Sequence, residues 1–494
     1  MVYKIVMIVI LLVYTIALLF IFAYSLTQAS LIIRYFKNGK NKKNVILDKS
    51  YIPYVTVQLP IYNELYVVER LIDNTCKFDY PSNKLEVQVL DDSTDETVDI
   101  IKKKVDEWKA KGIDIIHVHR KDRKGFKAGA LEEGLASAKG EFIAIFDSDF
   151  LPRLDFLRQT VPYFVDEKTG MVQTKWGHLN RNYSLLTRLQ AFGLDAHFSI
   201  EQVGRNYQEG FINFNGTAGI WRKSCIIDSG NWQPDTLTED LDLSYRAQLK
   251  DWRFVYLEDV ESPAELPPVM SALKTQQYRW TKGGAETARK HLKSVIKSNK
   301  PFHIKWHGVM HLLNSAVFLS ILVCSIFSVP LLFIEVSFPQ IENLFLLALF
   351  FIASFLILGS MYYVSTAKRL KNKLSAFCNL IITFPAFLSI SMGLSLHNGI
   401  AVVEGYLGRK TPFIRTPKFN LTQKNSKWKG NKYLKTKLNF VNILELLLAL
   451  YFAFGVVKGI QLKDYGLLPF HTMLTIGFLI VFYYSFKQSF VQNK

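Results

Sequence analysis

The sequence has few cysteines, and their spacing gives them no common role. Cys76, Cys225, Cys324 and Cys378 form no CxxC pair, and no cluster of Cys and His has the spacing of a zinc site. We therefore expect reduced, buried thiols and no disulfide scaffold. The GxxxxGK[ST] motif of a P-loop is also absent, which argues against that kind of nucleotide site.

Acidic residues are too few to balance the basic ones. The 494 residues include 60 Lys and Arg but 42 Asp and Glu, which gives a formal net charge of +18. Binding to nucleic acid is one interpretation of such a charge. However, basic residues concentrate beside apolar runs, at 34–43, 368–373 and 424–437, as they do on the cytoplasmic flanks of membrane helices. We therefore expect contact with membrane lipids and no nucleic-acid partner.

Long apolar runs, in contrast, are abundant. Ile5–Leu26 is long enough to cross a hydrocarbon core of ~30 Å. We interpret residues 1–33 as a transmembrane helix rather than a cleavable signal peptide. The basic stretch that follows predicts a cytosolic location from residue 34 onward. Further spans are predicted at Val309–Ile334, Leu344–Val364, Val441–Ile460 and Leu467–Phe486.

The apolar run Leu374–Leu407, within the segment 367–407, has about 34 residues and is too short for two crossings. Basic residues flank it on both sides, so both ends are expected in the cytosol, whereas two full helices need about 40 residues. We predict an interfacial or re-entrant hairpin there, and no additional regulatory domain after the last span. The expected order is an N-terminal membrane helix (1–33), a cytosolic domain (34–266), amphipathic interface helices (267–307), two membrane helices (308–366), the hairpin (367–407), a cytosolic loop (408–440) and two membrane helices (441–494).

Residues 50–300 alternate short β-rich runs with helical patterns. Strands are predicted at Tyr54–Leu59, Glu86–Leu90, Asp114–Val118 and Glu141–Phe146, with helices beginning near Glu64, Asp95 and Lys127. Such alternation predicts an α/β domain whose sheet is mainly parallel and has helices on both faces. Ligands bind such sheets at the carboxyl ends of the strands.

Acidic pairs follow two of the predicted strands. Asp147 and Asp149 come directly after an apolar strand, where two carboxylates can bind one Mg²⁺ or Mn²⁺ that neutralises a diphosphate. A turn is the alternative. Asp91 and Asp92 end another strand, where carboxylates can hold a nucleoside, although Ser93 behind them also suits a helix cap. Both pairs lie at the carboxyl edge of the sheet, which favours a ligand site there.

Two further motifs place charge at predicted helix starts. The stretch 124–130, KGFKAGA, combines lysines with small residues that let a phosphate approach the backbone, but a solvated basic turn is the alternative. Thr238, Glu239 and Asp240 open another helix. A carboxylate there can accept a proton from a hydroxyl group, or Thr238 can simply cap the helix.

The stretch 276–280, QQYRW, joins a cation to an aromatic ring. Arg279 suits a diphosphate, and Trp280 suits the apolar face of a sugar. The alternative is an amphipathic interface helix with a Trp anchor. Sequence alone leaves both interpretations open.

The motifs DD, DxD, TED and QxxRW follow one another in this order along the chain. With them the sequence resembles the processive family 2 glycosyltransferases, which include cellulose, chitin, hyaluronan and mannan synthases. The resemblance covers residues 50–290. The stretches 58–64 (QLPIYNE), 214–219 (FNGTAG) and 251–257 (DWRFVYL) are most similar to the plant cellulose-synthase-like groups A and C, which make mannan, glucomannan or the glucan backbone of xyloglucan. The resemblance implies a GT-A nucleotide-diphospho-sugar transferase domain inserted between transmembrane α-helices.

The resemblance also implies roles for individual residues. Asp240 would be the general base of an inverting displacement, with Glu239 and Thr238 beside it. The donor would be bound by Tyr62, Glu64, Asp91, Asp92, Lys127, Asp147, Gln276, Arg279, Thr416 and Lys418. The acceptor would be bound by Trp176, Phe214, Asn215, Gly216 and Trp280. Asp147 and Asp149 would bind Mg²⁺ or Mn²⁺, with Asp149 the primary ligand.

A shorter match lies in the expected cytosolic loop. Residues 413–418 (FIRTPK) are similar to the FxVTxK gating loop of bacterial cellulose synthases, with Arg415 in place of the valine. The resemblance implies an enzyme of the plasma (inner) membrane whose catalytic domain faces the cytosol. It would polymerise a β-linked mannan, glucomannan or glucan from GDP-mannose or UDP-glucose and translocate the growing chain. The alternative is a lipid glycosyltransferase that adds one sugar to ceramide or polyprenyl phosphate.

Overall fold

The computed structural model describes residues 2–38, 47–337, 345–421, 428, 430–434 and 438–490. Parts of three predicted segments therefore lie outside the described residues: the basic stretch 34–43, the start of the span Leu344–Val364 and the middle of the loop 408–440. Residues 491–494 of the last predicted domain lie outside them as well.

Among the described residues, seven strands form one sheet. They are β1 (Val55–Ile61), β2 (Leu85–Asp91), β3 (Asp114–His119), β4 (Phe142–Ile145), β5 (Thr169–His178), β6 (Gly219–Arg222) and β7 (Arg253–Ala264). Their order is β3-β2-β1-β4-β6-β5-β7, and β6 runs antiparallel to both β4 and β5. The other pairings are parallel, so the predicted mainly parallel α/β sheet is confirmed.

Helices precede, follow and connect these strands. They are α1 (Val2–Asn38), α2 (Val68–Thr75), α3 (Thr97–Ala110), α4 (Phe126–Ser137), α5 (Phe156–Thr160), α6 (Leu185–Ala196), α7 (Gln202–Tyr207), α8 (Lys223–Asp228), α9 (Glu239–Leu249), α10 (Met270–Lys297), α11 (Phe302–Leu312), α12 (Ala316–Ser337), α13 (Phe345–Leu370), α14 (Lys373–Gly393), α15 (Ser395–Leu407), α16 (Phe440–Gln461) and α17 (Leu468–Ser489).

Hydrophobic clusters cover both faces of the sheet. In β4, Phe142 and Ala144 pack into one cluster, whereas Ile143 and Ile145 pack into another. Because successive strand residues point to opposite faces, the two clusters lie on opposite sides. The first includes side chains of α2, α3 and α5, and the second includes those of α4, α8 and α9. Burial on both faces explains why β4, inside the sheet, is continuously apolar.

In the described ranges, six helices are long and apolar enough to cross a membrane: Lys4–Lys37, Phe302–Ile334, Leu349–Leu370, Lys373–Gly393, Phe440–Gln461 and Leu468–Ser489. Five of them coincide with the predicted spans. The remaining one is α14, inside the segment 367–407. There Phe387 packs against Phe192 of α6, which lies between β5 and β6 in the chain, and the shorter α15 follows α14. The hairpin at 367–407 stays a prediction.

Helix α10 connects the sheet domain to the apolar helices through a buried ion pair. The Lys274 ammonium lies 2.8 Å from Glu445 of α16, with side-chain exposures of 10% and 0%. Lys274 also donates to Ser485 of α17 at 2.9 Å, and Asn442 donates to Glu445 at 3.1 Å. Since both charges are withdrawn from water, each depends on the other for compensation.

We expect Glu445→Gln to lower the free energy of unfolding by about 3–5 kcal/mol, because it leaves the Lys274 ammonium buried without its counter-charge. The measurement is denaturant unfolding of the purified protein in one fixed detergent. The matched control is Asp251→Asn, which breaks an ion pair with Lys300 at a carboxylate that is 83% exposed, and which we expect to change stability little. Equal effects of the two substitutions would contradict this account.

Candidate active site

A cleft lies beyond the carboxyl ends of the strands, between the sheet, α10 and the loop 413–418. All predicted site residues line it except Asp91 and Phe214. Among the described residues, the lining includes seven Asp or Glu side chains but five Lys or Arg side chains. This excess of negative charge suits a ligand that brings a cation with it.

Asp147 is held at the end of β4 by contacts on two sides. Its backbone N–H donates to the Thr217 hydroxyl at 2.9 Å, and its Oδ1 lies 2.6 Å from Lys127 Nζ. Lys127 also donates to the Gly216 carbonyl at 2.8 Å. The lysine therefore connects the predicted metal ligand Asp147 to the turn 215–217, predicted to contact the acceptor.

Asp149 is buried, and only one of its carboxylate oxygens is paired. Oδ2 lies 2.8 Å from Lys418 Nζ, whereas Oδ1 has no hydrogen-bond partner among the described residues. Two carboxylates one residue apart supply the oxygen ligands that Mg²⁺ and Mn²⁺ prefer. The unpaired buried oxygen and the cation of Lys418 both indicate that Asp147 and Asp149 fit a divalent cation.

Asp240 and Glu239 occupy the first turn of α9, where the helix dipole favours negative charge. Asp240 Oδ1 accepts from the Leu241 N–H at 2.8 Å. Burial, together with the charge of Glu239, raises the pKa of Asp240 above its ordinary value. A carboxylate with a raised pKa holds an abstracted proton more readily, which suits a general base.

Thr238 does not cap α9. Within the described part of the chain its side chain makes no hydrogen bond to the helix start, and its hydroxyl pairs instead with Thr287 of α10 at 3.1 Å. The capping alternative is therefore wrong for this residue. Thr238 links the start of α9 to α10 and so fixes the distance between Asp240 and the QxxRW motif.

The opposite end of the cleft is rich in arginine. Arg120 donates to both carboxylate oxygens of Asp92 at 2.6 Å, and the Arg123 guanidinium lies 3.4 Å from the centroid of the Tyr62 ring. Arg415 lies 2.8 Å from Glu64. Burial raises the pKa of Glu64 to about 7, and Arg415 opposes this shift. A planar ring beside paired charges suits a nucleoside.

Sequence reasoning missed Arg120 and Arg123 as members of this site. Arg120 follows β3 directly, and Arg123 precedes the stretch 124–130. The rule that ligands bind at the carboxyl ends of parallel strands applies to β3 as well as to β2 and β4. Applied to every strand, it would have identified Arg120.

The remaining predicted residues form an aromatic and basic wall. Trp176 and Trp280 have ring centroids 6.5 Å apart, and Trp176 also packs against Phe150 at 5.2 Å. Arg279 Nη2 donates to the Thr416 hydroxyl at 2.9 Å, and its guanidinium lies 4.8 Å from the Phe413 ring centroid. The loop 413–418 therefore lies across the cleft and is held by α10. Gln276 and Asn215 line the same space.

Asp91 and Phe214 lie elsewhere. Asp91 is fully buried and turned toward His117 and His119. Phe214 is also fully buried and packs on Trp221, so it anchors the turn that presents Asn215 and Gly216. The helix-cap alternative for Ser93 is wrong too, because its hydroxyl accepts from the Asn63 N–H at 2.8 Å, whereas α3 begins at Thr97.

Comparison with known proteins finds sequence similarity to sugar-transferring enzymes. Residues 53–283 match the family model described as glycosyltransferase like family 2. Glucomannan 4-beta-mannosyltransferase 7 of Arabidopsis thaliana is 40% identical over 304 residues, covering 58% of this chain and 54% of that protein. Probable glucomannan 4-beta-mannosyltransferase 11 of Oryza sativa subsp. japonica is 37% identical over 381 residues, covering 74% and 63%. The chain thus spans less than two thirds of the length of either relative.

A solved structure shares the fold. Mannosyltransferase PcManGT from Pyrobaculum calidifontis, in complex with GDP-Man and Mn²⁺, superposes with a TM-score of 0.51 at 20% sequence identity, covering 79% of this chain and 100% of that chain. The predicted GT-A architecture is thereby confirmed.

Proposed function

We propose that residues 53–283, which match the model of glycosyltransferase like family 2, form a domain of that family, and that the chain polymerises a 4-linked β-mannan or glucomannan from GDP-mannose. The observation that carries the proposal is the single cleft in which Asp92, Asp149, Asp240 and Trp280 meet. The names of the curated relatives support mannose as the transferred sugar. UDP-glucose is the other donor to be tested.

Each wall of the cleft has its own part in the proposed reaction. Tyr62, Glu64 and Asp92 bind the nucleoside. Arg279, Thr416 and Lys418 face the diphosphate, where charge-assisted hydrogen bonds are strongest. Trp280 and Trp176 stack on the acceptor sugars. The acceptor therefore reaches the donor from the side of Asp240.

The chemistry is an inverting displacement. The acceptor hydroxyl attacks the anomeric carbon from the face opposite the diphosphate, while Asp240 accepts its proton. A new glycosidic C–O bond forms as the bond to the diphosphate breaks, so an α-linked donor yields a β-linkage. Glu239 raises the proton affinity of Asp240 through charge repulsion.

A divalent cation, Mg²⁺ or Mn²⁺, held by Asp147 and Asp149 would neutralise the charge that develops on the leaving diphosphate. Until the donor binds, Lys418 supplies positive charge at Asp149. When the donor binds, the Lys418 ammonium can pair with the diphosphate, because the loop that carries Lys418 already crosses the cleft.

The apolar helices support a membrane location with the cleft on the cytosolic side, where nucleotide sugars are supplied. Basic residues at 368–373 lie between two candidate spans. Helix α10 carries Trp280 beside the acceptor and Lys274 in the ion pair with α16. This continuity supports passage of the growing glycan from the cleft toward the membrane helices of the plasma (inner) membrane.

The central experiment incubates the full-length protein in membranes with Mn²⁺ and either GDP-mannose or UDP-glucose, followed by linkage analysis. We expect GDP-mannose to give an insoluble 4-linked β-glycan. Asp240→Asn should lower its rate by about 10²–10⁴-fold, because the general base is lost. Asp106→Asn, on the exposed side of α3, is the control. A short, solvent-extractable product would instead indicate a lipid glycosyltransferase.

Asp149→Ala should abolish turnover at any concentration of Mg²⁺ or Mn²⁺, because the buried carboxylate is the main oxygen ligand of the proposed site. Chelation of divalent cations should likewise abolish turnover by the unaltered protein. Asp106→Ala serves as the matched control. Polymer formation at a near-normal rate by the Asp149 variant would refute the metal assignment.

Gly216→Ala should lower turnover by about ten- to a hundredfold, because an added Cβ displaces the catalytic carboxylate. That Cβ would lie 3.0 Å from Asp240 Oδ2 and 3.5 Å from Lys127 Nζ, at a backbone φ of +79°. Gly112 has a φ of +82° but no described atom within 4 Å of such a Cβ. Gly112→Ala therefore reproduces the backbone strain without the crowding, and it should unfold more easily yet keep its activity.

A further inference from the structure

A cluster outside the cleft has the composition of a metal site. Asp91, His117 and His119 each offer one ligand atom, and these atoms all lie within 4.8 Å of one another. His117 and His119 alternate on β3, so both rings project from the same face of this edge strand. In the parallel pairing with β2, His119 lies opposite Asp91.

Both rings already converge on one carboxylate oxygen. Asp91 Oδ2 lies 2.8 Å from His117 Nε2 and 3.1 Å from His119 Nδ1. A tetrahedral Zn²⁺ with Zn–N and Zn–O distances near 2.1 Å separates its ligand atoms by roughly 3.4 Å. The two Asp91–His distances are therefore about 0.6 and 0.3 Å shorter than this separation, and the ligand atoms of His117 and His119 lie within 4.8 Å of each other.

The surroundings meet two further requirements of a metal site. Asp91 Oδ1 accepts from the Ser93 N–H at 2.8 Å, which orients the carboxylate in the way that outer hydrogen bonds orient metal ligands. The His119 side chain is 37% exposed and His117 16%, which leaves a path for a cation and room for a water ligand.

We propose that Asp91, His117 and His119 form a second metal site, separate from Asp147 and Asp149, that takes Zn²⁺ or a similar first-row transition-metal ion. Two imidazoles and one carboxylate prefer such ions, whereas carboxylate oxygens alone prefer Mg²⁺ and Mn²⁺. The site joins the ends of β2 and β3. Asp92 and Arg120 form the ion pair at the nucleoside end of the cleft. Asp91 directly precedes Asp92, and His119 directly precedes Arg120. A bound cation therefore holds together the two strand ends from which that pair projects.

The experiment measures zinc binding to the chelator-treated, full-length protein in detergent with excess Mg²⁺, which occupies the oxygen-rich site. Equilibrium dialysis with metal analysis should give one tightly bound Zn²⁺, and Zn²⁺ should raise the Tm because it binds the folded state. His119→Gln keeps a hydrogen-bonding side chain but removes the imidazole, and it should bind Zn²⁺ at least about tenfold more weakly. The double variant His117→Gln/His119→Gln should show no Tm shift.

Two controls separate this site from others. His303→Gln removes an exposed histidine of α11 and should leave zinc binding unchanged. Asp149→Ala should also retain it, because the two sites share no ligand. The proposal is overturned if the unaltered protein shows no zinc-dependent Tm shift. It is also overturned if His119→Gln and the double variant bind zinc as tightly as the unaltered protein, or if Asp149→Ala no longer binds zinc.

Discussion

The structure depends on the compensation of buried negative charge. The fold brings the carboxylates of Asp92, Asp147, Asp149 and Asp240 into one cleft, where Asp92 and Asp149 are buried. Charges in such a place are costly unless cations lie beside them. Arg120, Lys127 and the loop cations Arg415 and Lys418 provide that compensation. The same requirement holds the loop 413–418 over the cleft, and it is the property that suits the cleft to a cation-bearing diphosphate.

Helix α10 connects this electrostatic arrangement to the apolar helices. Within five residues it carries Lys274, paired with Glu445 of α16, and Arg279, bonded to the loop at Thr416. Five residues of α-helix advance roughly 7.5 Å. A rigid element of this length fixes the distance between the cleft and the apolar helices. In the proposed function, that distance decides where an extended glycan leaves the sheet domain.

The carboxyl edge of one sheet carries two different ligand chemistries. Asp147 and Asp149 present oxygen atoms at the end of β4, in the middle of the sheet. Asp91, His117 and His119 present mixed nitrogen and oxygen atoms at the edge formed by β2 and β3. β3 is an edge strand whereas β4 lies inside the sheet, so the two sets of ligand atoms lie at different places along that edge. In our proposals, ions that prefer imidazole would bind at one place and ions that prefer carboxylate at the other.

The sequence by itself determined the sheet domain, the apolar helices and most of the cleft. Strand–helix alternation, apolar runs and motifs such as Asp147-Ser148-Asp149 are local patterns, which can be recognised in the sequence without the structure. Only the tertiary structure decided where each side chain points. Asp91 and Asp92 are neighbours in the chain, yet Asp91 ends β2 and meets His117 and His119, whereas Asp92 follows the strand and lines the cleft. Likewise, the pairing of Arg415 with Glu64 joins residues far apart in the chain, and such a contact follows from packing rather than from any local pattern.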